Sequence, residues 1–84
     1  MDISEARITE HARTQMIRRG IRETDVLRVI TDPEEVVAVR EGRLVAQGMV
    51  GEYLLRVFLD IDRDPPEVAT VYRTSKIAKY RRQK

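Results

Sequence analysis

The spacing of hydrophobic residues changes from a helical to a strand-like period about one third of the way along the chain. In ITEHARTQMIRR (residues 8–19), apolar residues recur every fourth position at Ile8, Ala12 and Met16, which predicts an α-helix. Gly20 follows, where a left-handed residue commonly ends a helix. A second helix is predicted next, with an apolar face formed by Val26, Leu27, Val29 and Ile30.

From residue 35 onwards the pattern predicts four β-strands. The segments are rich in β-branched residues and are separated by short turn sequences, which favours an antiparallel meander. They are EVVAVR (35–40), RLVAQGMV (43–50), EYLLRVFLDI (52–61) and EVATVYR (67–73). The ending TSKIAKY predicts a short helix. The predicted fold class is therefore α+β, with two N-terminal helices, then a four-stranded antiparallel sheet and a short C-terminal helix.

The third predicted strand indicates which side chains lie on each face of the sheet. Its odd positions, from Tyr53 to Ile61, are all apolar, whereas Arg56 and Phe58 occupy even positions. We therefore expect the odd positions to pack on the helices. Arg56 and Phe58 should then lie together on the opposite face, as an exposed cation beside an aromatic ring.

The alternation in the fourth predicted strand leaves two choices open. Either the odd positions, Ala69 and Val71, or the even positions, Val68, Thr70 and Tyr72, face the core. If the smaller odd pair points inward, Tyr72 joins the arginine of the third strand on the outer face.

The length of 84 residues predicts a single domain over residues 1–84 with one modest hydrophobic core. A hydrophobic fraction of 42% and a charged fraction of 36% are typical of a soluble globular domain. The absence of cysteine excludes disulfides and thiol nucleophiles and favours a reducing compartment. No segment resembles a signal peptide or a membrane span, so we expect a cytoplasmic protein without a membrane partner.

The net charge of +2 conceals an uneven distribution. Residues 1–72 carry 10 basic and 14 acidic side chains, whereas residues 73–84 carry 6 basic and no acidic ones. The first helix and its exit add a second group of arginines. Such basic clusters are typical of a surface that binds phosphate groups, and a positive first helix beside a positive last helix would form a groove for them. We assign residues 81–84 as a basic tail, since chain ends are commonly charged.

The sequence lacks the motifs of metal and nucleotide sites. Asp60, Asp62 and Asp64 have the spacing with which a calcium loop begins, but Pro65 and Val71 stand where an EF-hand loop needs glycine and glutamate. One histidine without cysteine does not supply a transition-metal site. No glycine-rich phosphate loop occurs. We therefore predict no metal and no cofactor.

His11 and Gln15 flank the apolar stripe of the first helix. Histidine is the side chain that most readily exchanges protons near neutral pH, so His11 is the natural candidate for proton transfer. The alternative is a structural histidine that closes the helix against a strand. Arg19 lies close to the stripe, where an arginine either extends past the helix end or meets a buried carboxylate.

Together these segments resemble a small bacterial family of unknown function, DUF4258. The resemblance covers residues 8–80 and depends mostly on the HA…M…RGI…DV framework of the helices and on the ending TVYRTSKIxKY. One departure is Gln15, which stands where an arginine commonly precedes the methionine, so a phosphate contact there would be lost. That family in turn is similar to the RelE and BrnT-type toxin domains, which share a helical start, an antiparallel sheet and a basic C-terminal element.

The resemblance to RelE-like toxins implies a metal-independent endoribonuclease that an antitoxin protein neutralises. Cleaving RNA without a metal requires a base for the 2′-hydroxyl, cations for the transition state and an acid for the leaving oxygen. We assign His11 as acid or base, and Arg56 and Arg73 as phosphate stabilisers. Tyr72 or Tyr80 is assigned as a stacking platform or proton donor. The predicted nucleic-acid-binding set is Arg18, Arg19, Lys76, Lys79 and Tyr80.

The alternative function is a nonenzymatic module on the same fold that binds nucleic acid or protein. For Tyr72 and Tyr80, the alternative role is a ring that packs on the sheet with its hydroxyl bonded to the backbone. The sequence leaves open whether the RNA is free or ribosome-associated and which sequence is cleaved. It also leaves open whether an antitoxin exists and whether strand edges pair two copies into a homodimer.

Overall fold

The structure, a computed structural model, describes residues 2–80, so Met1 and the predicted basic tail at residues 81–84 lie outside the described part. The elements, in chain order, are a 3-10 helix (Ile3–Glu5), β1 (Arg7–Ile8), α1 (Glu10–Arg19), α2 (Glu23–Thr31), β2 (Glu35–Arg40), β3 (Arg43–Val50), β4 (Tyr53–Asp60), β5 (Glu67–Thr74) and α3 (Ile77–Tyr80). The strands form one sheet in the order β1-β5-β4-β3-β2. No helix among these residues is long and apolar enough to cross a membrane.

The sheet has five strands and is mixed, so the prediction of a four-stranded antiparallel sheet after two N-terminal helices was wrong. Strands β2 to β5 do form the antiparallel meander, but β1 pairs parallel to β5, and a 3-10 helix and β1 precede α1. The pairing includes a 2.8 Å bond from the N–H of Arg7 to the carbonyl of Pro66. A strand of two residues carries no alternation, so a sequence pattern cannot reveal it.

The first long helix has the caps that its sequence favours. The Thr9 hydroxyl oxygen accepts a 3.1 Å hydrogen bond from the N–H of Ala12, and α1 therefore begins at Glu10, two residues later than predicted. Gly20 adopts φ 67° and ψ 31°, the left-handed conformation that ends the helix. Through its buried face α1 packs on β5, while α2 packs on β3 and β4.

The hydrophobic core lies between α1, α2 and one face of the sheet. Leu55, Val57 and Leu59 of β4 point into it and are at most 2% exposed, which confirms the assignment of these three odd positions. Ile61 packs against the core only partly, and Tyr53, at the start of β4, is 46% exposed, so the prediction was wrong for this tyrosine. In β5, Val68 and Val71 are both fully buried in the same core although they are three residues apart. A regular strand would place two such residues on opposite faces.

A β-bulge in β5 explains this spacing. Leu59 pairs with Val68 and Phe58 pairs with Thr70, so Ala69 is an extra residue without a partner in β4. Neither the odd positions alone nor the even positions alone therefore face the core along the whole of β5. Beyond the bulge, Val71 faces the core and Tyr72 faces outward, directly opposite Arg56.

Candidate nucleic-acid interface

Arg56 lies at the centre of an aromatic cluster on the outer face of the sheet, which is the face turned away from α1 and α2. Its guanidinium carbon is 5.3 Å from the ring centroid of Phe58, 5.6 Å from that of Tyr72 and 4.2 Å from that of Tyr80. The rings of Phe58 and Tyr72 stack at 5.9 Å, and Tyr80 meets Tyr72 edge-on at 6.4 Å. Because aromatic faces attract cations, the three rings hold the guanidinium in place.

Hydrogen bonds fix the same guanidinium. Its Nε donates to Oε1 of Gln47 at 2.9 Å, and its Nη1 donates to the Tyr72 hydroxyl at 2.5 Å. Gln47 in β3 and Tyr72 in β5 lie directly opposite Arg56 in the sheet. Strand register alone therefore brings these three side chains together. Arg56, predicted to be exposed, is partly buried.

Tyr80 brings α3 into the cluster. A hydrogen bond from the Tyr72 hydroxyl holds the pKa of the Tyr80 phenol below its ordinary value. Burial acts in the opposite direction, while the positive charges of Lys79 and Arg56 also lower this pKa. Lys79 Nζ is 5.3 Å from the Tyr80 ring centroid. The cluster thus combines a guanidinium with a phenol that releases its proton more readily than an ordinary tyrosine.

A second polar row runs along α1 at the outer edge of β5. His11, Gln15 and Arg19 are four residues apart, so their side chains share one side of the helix. Gln15 Nε2 is 3.1 Å from His11 Nε2, and Arg19 Nη1 donates to Gln15 Oε1 at 3.2 Å and to the carbonyl of Val71 at 2.7 Å. The Thr70 hydroxyl donates to the same Gln15 oxygen. Since an amide nitrogen only donates, His11 Nε2 is the acceptor in this row.

The structure brings together only part of the predicted catalytic set. Arg56 and Tyr72 are hydrogen bonded to each other. His11 lies on α1, and its hydrogen bond within residues 2–80 goes to Gln15 rather than to the cluster. Arg73 follows Tyr72 on the opposite face of β5, where its guanidinium is 5.3 Å from the Tyr53 ring centroid and its Nη1 is 3.5 Å from the carbonyl of Gly20.

The model of a family described as Domain of unknown function (DUF4258) matches residues 8–73 of the chain. The chain belongs to the DUF4258 family. The matched part runs from β1 to β5 and therefore includes Arg56 and Tyr72, while α3 lies beyond it. A search of curated proteins and a search of solved structures found no match. In the described residues of this DUF4258 domain, no group of three or more histidine, acidic or cysteine side chains lies close enough to hold a metal ion.

The predicted nucleic-acid-binding residues fall on two sides of the DUF4258 domain. Arg18 and Arg19 line a pocket with Gln15 on α1, whereas Lys79 and Tyr80 lie on α3 at the Arg56 cluster. Lys76 is exposed just before α3. The two helices therefore do not form one shared groove, because α1 packs on the core face and α3 contacts the outer face. The outer edge of β5, with the Thr70 to Gln15 hydrogen bond, connects the two sides.

The residue of this DUF4258 site that the sequence pattern does not point to is Gln47. It is 1% exposed, and its Nε2 donates to Glu35 Oε1 at 2.9 Å and to the carbonyl of Tyr80 at 2.8 Å. The available signal was a polar amide in the middle of the apolar strand RLVAQGMV, since a buried amide requires hydrogen-bond partners. The identity of those partners depends on strand register, which the pattern does not give.

Proposed function

We propose that this DUF4258 domain binds RNA and cleaves it without a metal ion, as an endoribonuclease of the toxin–antitoxin type. The observation that carries the proposal is the Arg56, Tyr72 and Tyr80 cluster, in which a guanidinium and two phenol groups lie within one hydrogen-bonded unit. The resemblance of the chain to the bacterial RelE and BrnT-type toxins supports the same activity at the level of fold and charge.

The cluster contains groups suited to the chemistry of RNA cleavage. The 2′-oxygen attacks the adjacent phosphorus, its proton passes to a base, and the bond to the 5′-oxygen breaks as that oxygen takes up a proton. The products are a 2′,3′-cyclic phosphate and a 5′-hydroxyl. Within residues 2–80, Arg56 donates hydrogen bonds through Nε and Nη1, so Nη2 remains to donate to a phosphate oxygen.

In this proposal the two tyrosines perform the proton transfers. The Tyr72 hydroxyl accepts from Arg56 and also lowers the pKa of the neighbouring Tyr80 phenol, so the two phenols provide adjacent groups for proton transfer. The lowered pKa of Tyr80 favours its role as the base. His11 lies outside the cluster and acts as acid or base only on a substrate that extends across the outer edge of β5. Arg73 contacts such a substrate on the opposite face.

The exposed cations and rings supply the binding surface. Lys79 lies beside the cluster and Lys76 is exposed just before α3. Phosphates attract such cations in a manner that depends on salt. The rings of Phe58 and Tyr72 offer planar surfaces on which RNA bases stack. Arg18 extends the positive surface around α1. Within the proposal the RNA is free or ribosome-associated, and an antitoxin protein inhibits the domain by covering this surface.

The test is cleavage of end-labelled single-stranded RNA, free and on ribosomes, in the presence of EDTA. We expect products with cyclic phosphate ends from the wild type, and a loss of at least about 100-fold in rate in Tyr72→Phe, as for removal of a general acid or base. Tyr53→Phe is the matched control, because Tyr53 is an exposed tyrosine beside Arg73 rather than Arg56. If the wild type does not cleave RNA and cells that express it grow normally, the endoribonuclease function is excluded.

A nonenzymatic RNA-binding module is the second candidate, and one observation favours it. Arg56 is already held by three rings and two hydrogen bonds, so the cluster is also a complete structural unit. This function predicts RNA binding that weakens steeply with salt and no cleavage. Replacing Lys79 by alanine should reduce the salt slope by about one unit, whereas Arg63→Ala, in the β4–β5 loop, should leave it unchanged.

A further inference from the structure

Gln47 is the buried polar side chain of the described part of the chain, and both its amide oxygen and its amide nitrogen form hydrogen bonds. Its oxygen accepts from Arg56 Nε, and its nitrogen donates to the carboxylate of Glu35 and to the carbonyl of Tyr80. One donor on one side and two acceptors on the other fix the orientation of the amide. The position therefore requires a side chain of this length that accepts one hydrogen bond and donates two, and glutamine is the residue with that combination.

Gln47 also joins two parts of the site that come from different elements. Arg56 and Tyr72 belong to the sheet, whereas Tyr80 belongs to α3, whose four residues are too few to form a stable helix by themselves. The hydrogen bond from Gln47 reaches the backbone of Tyr80, whose ring then lies 4.2 Å from the guanidinium carbon of Arg56. The same amide therefore holds the cation and the ring that covers it.

We propose that Gln47 is the positioning residue of this site, whose amide orients Arg56 through its oxygen and docks α3 through its nitrogen. The consequence for RNA rests on the proposed function, because orienting Arg56 and Tyr80 matters for cleavage only if they act on RNA. The docking itself does not depend on that function. A buried amide that lost either partner would be strongly unfavourable, so both contacts are needed to satisfy its oxygen and its nitrogen.

The first test variant is Gln47→Met, which keeps the length of the side chain and removes its polar atoms. We expect the Arg56 Nε–H to exchange with solvent at least about tenfold faster by NMR, because its acceptor is gone. We also expect the tyrosine that ionises early to titrate like an ordinary one, because Tyr80 is no longer held against Tyr72. Cleavage or binding of RNA should fall with these changes.

The second variant, Gln47→Glu, separates the two contacts. It keeps an acceptor for Arg56 but loses the donor to the Tyr80 carbonyl and places a second carboxylate beside Glu35. We expect the Arg56 Nε–H to remain protected while the tyrosine signature is lost. Val57→Ala is the matched control, since Val57 is a fully buried residue of β4 on the opposite face. It should lower the melting temperature and leave both spectroscopic signatures unchanged.

The inference is overturned if Gln47→Met leaves both the Arg56 exchange rate and the tyrosine titration at their wild-type values. It is also overturned if this variant loses both signatures yet cleaves or binds RNA as the wild type does. Should the methionine variant not fold, rapid exchange of the Gln47 amide protons in the wild type would overturn it, and slow exchange would support it. A wild type inactive toward RNA refutes the proposed function, while the NMR and titration results still decide the role of Gln47 in docking α3.

Discussion

Arg19 of α1 donates a 2.7 Å hydrogen bond to the backbone carbonyl of Val71 in β5. The bond lies at the outer edge of β5, beyond the two residues that pair with β1. Carbonyls at such an edge otherwise face solvent or attract another strand. The arginine near the apolar stripe therefore meets a backbone carbonyl, rather than the buried carboxylate considered from the sequence, and it ties the first helix to the sheet.

The first prediction concerns this bond. Arg19→Ala should lower the free energy of unfolding by about 1–2 kcal/mol, because a charged donor to the sheet edge is lost. The adjacent variant Arg18→Ala is the control, since Arg18 is exposed and forms no ion pair within residues 2–80. It should stay within about 0.5 kcal/mol of the wild type. Urea denaturation of the three proteins measures both values. Equal losses in the two variants would contradict the role of the Val71 bond.

The second prediction concerns the tyrosine pair. With three tyrosines and no tryptophan, ultraviolet absorbance reports phenol ionisation directly. In the wild type one phenol should ionise below its ordinary pH, because Tyr72 donates to Tyr80 and Lys79 lies nearby. Because the folded pKa is lowered, this group favours the folded state at alkaline pH, and the contribution disappears as the pH falls through the folded pKa.

Tyr72→Phe tests this prediction, since it removes the hydroxyl that donates to Tyr80. The early step of the titration should move to higher pH in this variant and stay in place in Tyr53→Phe, which leaves the Tyr72 hydroxyl intact. A titration of Tyr72→Phe that keeps the early step would show that Tyr72 is not its cause.

The third prediction concerns stability in acid. Arg43 Nε donates to Asp60 Oδ1 at 2.8 Å, and this bond holds the pKa of the Asp60 carboxyl below its ordinary value of 3.8. The resulting stabilisation is present above that ordinary value and is lost as the pH falls through the lower folded value. Asp60→Asn should therefore cost about 0.5–1 kcal/mol at neutral pH and weaken the loss of stability below about pH 4.

Thermal unfolding at several pH values measures this effect. The control is Glu52→Gln, which changes an exposed carboxylate in the β3–β4 turn. It should reproduce the wild-type dependence on acid. If Asp60→Asn shows the same pH dependence as the wild type, the ion pair does not contribute to it.

The fourth prediction compares one substitution at two glycines. Gly20 has φ +67° and ends α1, so Gly20→Ala should cost about 1 kcal/mol although the added carbon would lie 3.8 Å from its nearest neighbour. Gly48 lies within β3 at an ordinary φ, where an added carbon would be 3.6 Å from Val29 Cγ2. Gly48→Ala should therefore be neutral or stabilising by up to about 1 kcal/mol. Chemical denaturation measures the free energy of unfolding of both variants. If the two alanines destabilised the domain by similar amounts, the positive φ of Gly20 would not be the cause of its cost.

The sequence predicts the features that are determined within one segment of the chain, and it does not predict those that depend on how several segments pair. The four long strands were predictable, because alternation repeats over six to eight residues in each strand. The sequence left open whether Tyr72 lies beside Arg56, because the bulge at Ala69 interrupts the alternation of β5. Strand β1 was not, since two residues contain no period. The function of Gln47 was not predictable either, because its partners come from β2, β4 and α3, and only the register of the whole sheet brings them together.

The bulge at Ala69 has a consequence for how this family can vary. Adding or removing one residue between Glu67 and Val71 would turn Tyr72 toward the helices and expose a valine, so an insertion or deletion there would dismantle the cluster and the core at once. In the exposed stretch at residues 62–65, a change in length would not reverse the faces of β5. Homologous chains should therefore differ in length in that loop and keep the length of β5 constant.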